Sequence, residues 1–173
     1  VGSGAADAAT DATCLTAVGH NAAGAVIGGS ENTAIGYEAL KTTTTGNHNT
    51  AVGSLALDAV TVGGDRNTAI GRAALSAAAV DDNTAVGMNA LNVFTGSDAV
   101  AIGSYAADAA TSAANLTAVG KNAAGAVTDS DDHTAVGAGA LAGVIMSLTV
   151  LYNEYSSLVN IDIDLNTGEI LYK

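Results

Sequence analysis

One short pattern recurs along the chain and limits what it can fold into. Thr-Ala-Val-Gly or Thr-Ala-Ile-Gly is followed by two variable residues, Ala, and then Leu or Ala, as in ENTAIGYEAL at 31–40 and RNTAIGRAAL at 66–75. A short fixed period is the signature of a repeat architecture, in which each unit packs only on its neighbours. Nine glycines mark the repeat at intervals of 16 to 18 residues: Gly2, Gly19, Gly36, Gly53, Gly71, Gly87, Gly103, Gly120 and Gly137.

A longer internal similarity accompanies the short repeat. Residues 1–26 and 102–127 are identical at 20 of 26 positions, which indicates a tandem duplication. In that alignment Val1 and Gly2 correspond to the end of a repeat whose beginning is missing. We therefore expect the chain to be a piece of a longer protein.

The composition of one repeat predicts a brief strand. In Thr-Ala-Val the alternate residues are β-branched and a glycine follows, which favours a short strand that ends in a turn. The later Ala-Leu pair fits either a second short strand or one helical turn. A period near 17 is too short for two helices, so the helical solenoids are excluded. The sequence predicts an all-β parallel β-roll or β-solenoid over residues 1–141, with about nine rungs stacked about 4.8 Å apart.

Small side chains make a single β-roll of this kind hard to stabilise. Hydrophobic residues make up 49% of the chain, but Ala and Val dominate, there is no Trp, and there is one Phe. Burying one small side chain contributes about 1–2 kcal/mol, and ordering one residue costs a similar amount. We expect the alanine of each rung to let several chains approach one another, and we predict an obligate homotrimer.

The repeats resemble those of two groups of fibrous proteins. Val100-Ala-Ile-Gly103, in DAVAIGSYAADA, resembles the head repeats of the YadA-like trimeric autotransporter adhesins, whereas NTAIGYEAL and NTAVGSLAL are more similar to repeats of phage tail fibres. The resemblance covers about residues 1–141. It implies a left-handed trimeric β-roll that attaches to a cell surface, located outside the cell on a virion fibre or a bacterial surface. The end of the chain matches neither an adhesin membrane anchor nor the chaperone domain of tail fibres.

The charge of the chain excludes some classes of partner. The net charge is −12, from 17 acidic and 5 basic residues, so nucleic acid and anionic membranes would be repelled. Many of the acids lie between the repeated words, which predicts a solvated acidic edge; a column of weak cation sites is the alternative. These acids are Asp11, Asp58, Asp65, Asp81, Asp82, Asp129, Asp131 and Asp132.

No motif for catalysis, metal binding or cofactor binding is visible. Cys14 is the only cysteine, and His20, His48 and His133 fall at variable positions without metal-ligand spacing. We therefore predict no catalytic residue, no metal and no cofactor. A glycan-cleaving fibre is the enzymatic alternative, but such a site needs paired carboxylates and aromatic platforms, and aromatic residues make up 3% of this chain.

A column of threonines is the second regular feature of the repeat. Stacked at the rung spacing, the threonines would form a ladder of hydroxyl groups; a structural ladder is the simpler interpretation and an ice-binding surface the more specific one. Val100 interrupts the column. The members are Thr16, Thr33, Thr50, Thr68, Thr84, Thr117 and Thr134.

The repeat stops after Leu141, and residues 142–173 form a different segment. VNIDIDL at 159–165 alternates apolar and polar residues, and Asn166-Thr-Gly168 is a turn signal, so we predict a β-hairpin that caps the last rung. Two alternatives are weaker: a calcium loop at Asp162, Asp164 and Asn166, which lacks the Glu at its end, and a membrane helix over 134–152, whose first half is a repeat.

The sequence as a whole favours a non-enzymatic structural fibre of a phage tail or virion, with the head of a bacterial trimeric adhesin as the alternative and an ice-binding solenoid as a more distant one. The expected partners are two further copies of the chain and a host receptor or glycan. The residues that would contact a receptor are not identifiable from the sequence.

Overall fold

The chain folds into a parallel β-solenoid. The computed structural model describes residues 1–59, 64–77, 79–129 and 131–143, together with two short strands at 161–163 and 170–172. Eight strands pair in parallel and in chain order, so that the chain makes seven turns between the first strand and the last. The predicted all-β repeat fold is confirmed, and none of the described residues is helical.

Each strand consists of the three residues before a repeat glycine, and equivalent residues lie side by side. Thr33 pairs with Thr50, Ala34 with Ala51, and Ile35 with Val52, and every other neighbouring pair of strands keeps this register. The strands are β1 (Thr16–Val18), β2 (Thr33–Ile35), β3 (Thr50–Val52), β4 (Thr68–Ile70), β5 (Thr84–Val86), β6 (Val100–Ile102), β7 (Thr117–Val119) and β8 (Thr134–Val136). Val1 continues the ladder below β1, because its carbonyl oxygen accepts a hydrogen bond of 2.8 Å from the backbone N–H of Gly19.

The corners of each rung are turns held by left-handed residues. After the glycine the chain turns, so the expected second strand or helical turn is absent there, and Glu38 and Leu40 have φ of 54° and 53°. For a non-glycine residue the left-handed region costs about 1–2 kcal/mol. Hydrogen bonds to both neighbouring rungs offset that cost: the N–H of Glu38 donates to His20 at 2.9 Å, and that of Leu40 donates to Ala56 at 3.0 Å.

The interior of the solenoid is filled by small residues and a leucine column. The strand alanines, such as Ala51 and Ala69, are fully buried within a single chain, as are Leu57 and Leu75 in the corners. These alanines therefore lie in the interior of a single chain and not at its surface. The expectation that the alanine of each rung lets several chains approach one another is not met by these strand alanines, because their side chains point away from the surface.

Four asparagines form a buried ladder along the solenoid. Asn32, Asn49, Asn67 and Asn83 directly precede their strands and are completely buried. Each Oδ1 accepts a hydrogen bond from the backbone of the next rung; for example, the N–H of Asn67 donates to Asn49 at 2.9 Å. Each Nδ2 donates to a carbonyl oxygen across its corner, as Asn49 does to Gly64 at 2.7 Å. The ladder therefore joins successive rungs and also closes each rung on itself.

One buried hydroxyl group in the interior has no hydrogen-bond partner. Thr43 is fully buried, and its Oγ1 makes no hydrogen bond. Val26 and Val127 occupy the corresponding places in other repeats and are also buried. The backbone at this place therefore accepts a side chain of the same shape without the hydroxyl group.

Replacing Thr43 with valine is expected to stabilise the fold. An unsatisfied buried polar group costs roughly 1–3 kcal/mol, so Thr43→Val should raise the free energy of unfolding by about 1 kcal/mol or more, measured by urea denaturation. Thr95→Val is the matched control, because the exposed Thr95 hydroxyl donates to the Thr111 carbonyl oxygen at 2.8 Å and its loss should not stabilise. A decrease in stability for Thr43→Val would show that the hydroxyl group is satisfied in solution.

The C-terminal segment contains two strands that pair with each other. β9 (Ile161–Ile163) and β10 (Ile170–Tyr172) are antiparallel, with Ile163 opposite Ile170, as expected for a hairpin. The turn predicted at 166–168, the calcium alternative at Asp164 and Asn166, and residues 144–152 of the membrane-helix alternative lie outside the described residues. The beginning of that alternative, Thr134–Val136, is strand β8.

Candidate interaction surfaces

The predicted site residues lie in two neighbouring columns on one side of the solenoid. The threonines begin the strands, and the glycines end them with φ between 125° and 143°. A Cβ built on seven of the glycines from Gly19 to Gly120 would lie 2.4–2.6 Å from the carbonyl oxygen of the next rung's glycine. The glycine column therefore sets the distance between rungs, and it is structural in this chain.

The outer face of the sheet combines hydroxyl groups with branched apolar side chains. Within each strand the first and third side chains point outward and the middle alanine points inward, as the alternation of exposed and buried residues shows. The third position is Val or Ile throughout, and Ile35, Ile70 and Ile102 are 39–42% exposed. We call the first and third residues of β1–β8 the outer face. Neither column of it contains a charged residue.

A second edge of the solenoid carries the charged residues in pairs from successive rungs. Arg66 forms two hydrogen bonds with Asp82, at 2.6 and 2.7 Å, and lies 3.6 Å from Asp81. Glu31 lies 3.3 Å from the ring of His48, and the Asn115 amide donates to Asp132 at 2.9 Å. The predicted acidic edge therefore consists partly of paired side chains.

Three carboxyl groups have shifted pKa values, two lowered by charge pairs and one raised by burial. The hydrogen bond from Arg66 lowers the pKa of Asp82, and the hydrogen bond from Lys41 lowers that of Glu38. Burial raises the pKa of Asp58, and the charge of Glu38 adds to this effect. By linkage, ionised Asp82 contributes to the free energy of unfolding at neutral pH, and this contribution is lost as the pH falls through its lowered pKa. For Asp58 the sign is opposite: its contribution is present when the carboxyl group is protonated and is lost as the pH rises through its raised pKa.

The corner that follows each repeat glycine carries the most varied side chains. His20 and Tyr37 stack there with ring centroids 5.5 Å apart, and Tyr37 is 51% exposed. Lys41 forms an ion pair with Glu38 at 3.1 Å in the same corner. We call this strip the variable corner. It extends from the residue after each repeat glycine to the fifth residue after it.

A cleft opens in the variable corner between the rungs of β6, β7 and β8. It has a volume of about 460 Å³ and is lined by Tyr105, Asp108, Lys121, Asn122, Gly125 and Ala142. Nothing in the sequence marks these residues as a group. They come from three successive repeats of the sequence. The one sequence signal that could have indicated them is Gly125, which has no side chain at the position where the preceding rung has Asp108.

The described part of the chain contains no candidate metal site, disulfide bond or membrane-spanning helix. No three His, Cys, Asp or Glu residues among the described ones are grouped as metal ligands. Cys14 is exposed and is not in a disulfide bond. Over the same residues, there is no helix with the length and apolar character needed to cross a membrane.

Comparison of the chain with protein-family models, with curated proteins and with solved structures gives no significant match. The function must therefore be inferred from the fold and from three surfaces: the outer face, the charged edge and the variable corner.

Proposed function

We propose that the chain is a non-enzymatic structural fibre, a homotrimer that serves as a spacer or host-attachment surface in a phage tail or virion fibre outside the cell. The head of a bacterial trimeric adhesin is the alternative owner, since the same repeats and the same assembly would serve it. The observation that carries the proposal is the outer face, an uncharged strip of branched side chains along the whole sheet.

The outer face has the properties expected of a contact between copies. Exposed apolar patches on otherwise polar proteins mark interaction surfaces. Here every strand has Val or Ile at its third position, and Val18, Ile35 and Ile70 are 39–42% exposed. The net charge of −12 opposes non-specific association of the chains, but no charged residue lies within the outer face itself. A three-fold arrangement would bury the strip of each copy against those of two others.

A charge in the middle of the outer face should break the assembly. Ile70 lies in β4, near the centre of the sheet, so Ile70→Lys would place an ammonium group inside the interface. We expect the wild-type protein to have three times the 16.7 kDa mass of one chain by light scattering, and Ile70→Lys to approach the mass of one chain. Ser54→Lys is the control, because Lys121 already occupies the corresponding place after β7.

The outcome of this measurement decides the proposal. A wild-type protein that remains monomeric through a concentration series would reject the trimer. A trimer that Ile70→Lys leaves intact would instead show that the copies meet through another face.

Ice binding is the second candidate function, and the same face favours it. The threonine column and the Val or Ile column are in register from strand to strand, about 4.8 Å apart, and form a repeating array of hydroxyl and methyl groups. The two candidates make opposite demands on the outer face: a trimer covers it, whereas ice binding requires it to be open. A monomer with thermal hysteresis that Ile70→Lys abolishes would favour ice binding over the fibre.

A further inference from the structure

Small residues line one side of the cleft in the variable corner. At the fifth residue after the repeat glycine, the rungs of β2 to β6 carry Lys41, Asp58, Ser76, Asn92 and Asp108, respectively. The next two rungs have Gly125 and Ala142 at this place. An opening of about 460 Å³ lies beside these two positions, where the side chain is absent or reduced to a methyl group.

The polar side chains around the cleft are unpaired within the part of the chain that the structure describes. Among the described residues, no hydrogen bond or ion pair involves the side chains of Tyr105, Asp108, Lys121 or Asn122. On the charged edge, by contrast, Arg66 and Asp82 bind each other across the rungs. The groups in the cleft are therefore available to a ligand, and they comprise an aromatic ring, an ammonium group, a carboxylate and an amide.

We propose that this cleft binds a carbohydrate, and this inference rests on the proposed role in attachment. One cation and one anion make the cleft neutral, so a charged ligand would meet an unfavourable group on one side. A sugar suits the set, because each of its hydroxyl groups both donates to Asp108 or Asn122 and accepts from Lys121 or Asn122. The apolar face of the sugar ring packs on the ring of Tyr105.

Two substitutions test the cleft without disturbing the rungs. Gly125→Asn fills the opening with the residue that the chain already has at the corresponding Asn92, and Tyr105→Ala removes the ring at a place where the rung of β4 has Ala73. Tyr37→Ala is the control, because Tyr37 is an exposed tyrosine of the same corner that does not line the cleft.

The experiment is saturation-transfer NMR on the intact chain with methyl glycosides of glucose, galactose, mannose and N-acetylglucosamine. We expect transfer to at least one glycoside, with affinity reduced at least about tenfold in Gly125→Asn and Tyr105→Ala and unchanged in Tyr37→Ala. Circular dichroism confirms that each variant is folded. Absence of transfer to all four glycosides at about 10 mM, or equal transfer with Gly125→Asn and Tyr105→Ala, would overturn the assignment. Light scattering on the same samples tests the trimer separately, so failure of the cleft and failure of the fibre are distinguishable.

Discussion

Gly71→Ala is expected to destabilise the solenoid by at least about 4 kcal/mol, which approaches the whole stability of many domains. Gly71 has φ of 130°, and a Cβ there would lie 2.6 Å from the carbonyl oxygen and 2.7 Å from the carbonyl carbon of Gly87. Both are backbone atoms of the next rung, so they cannot move aside as a flexible side chain would. The clash can be relieved only by separating β4 from β5. Urea denaturation followed by circular dichroism measures the loss.

Two other glycines separate the causes of that loss. Gly137 also has a positive φ, 125°, but no described atom lies within 4 Å of its added Cβ, so Gly137→Ala should cost only the backbone strain of about 1–3 kcal/mol. Gly28 has neither a positive φ nor a neighbour within 4 Å among the described residues, and Gly28→Ala should leave stability nearly unchanged. If Gly71→Ala cost no more than Gly137→Ala, contact between rungs would not be the reason for the glycine column.

Most of the fold can be predicted from the period of the repeat. Nine glycines in register and the β-branched residues of Thr-Ala-Val predicted the short strands, their parallel stacking and the residues that share a column. These features depend on the local sequence, which recurs in every repeat. The corners were predicted less well, because left-handed residues such as Leu40 and Leu57 are not glycines and no propensity marks them. Their conformation is imposed by hydrogen bonds to neighbouring rungs.

The direction of the side chains could not be predicted from one strand of three residues. Ala51 is flanked by Thr50 and Val52, and either set could have faced the interior. In the structure the alanines face inward, where they share the buried core with the leucine column of Leu57 and Leu75. The cleft was missed for a related reason: Tyr105 and Lys121 are neighbours only after the rungs have stacked.

The recurring asparagine was visible in the sequence, but its role depends on atoms from three rungs. None of these hydrogen bonds of Asn49 is to its own strand. Its backbone N–H donates to Asn32 Oδ1 at 2.9 Å, its Oδ1 accepts from the backbone N–H of Asn67 at 2.9 Å, and its Nδ2 donates to the carbonyl oxygen of Gly64 at 2.7 Å. The buried amide thus supplies one acceptor and one donor at fixed places. Aspartate has the same shape but lacks the donor.

Asn49→Asp is therefore expected to cost about 3–5 kcal/mol at neutral pH, because a carboxylate would be buried and would face the carbonyl oxygen of Gly64. Burial raises the pKa of the new carboxyl group above its unfolded value, so its penalty is present above the raised pKa and is removed as the pH falls through it. The stability difference from wild type should shrink on acidification, since a protonated carboxyl group can donate to Gly64. Asn122→Asp, which adds the same charge at an exposed side chain, is the control and should show neither the large loss nor the pH dependence. Equal losses in the two variants would mean that the net charge of the chain, and not the buried ladder, determines the effect.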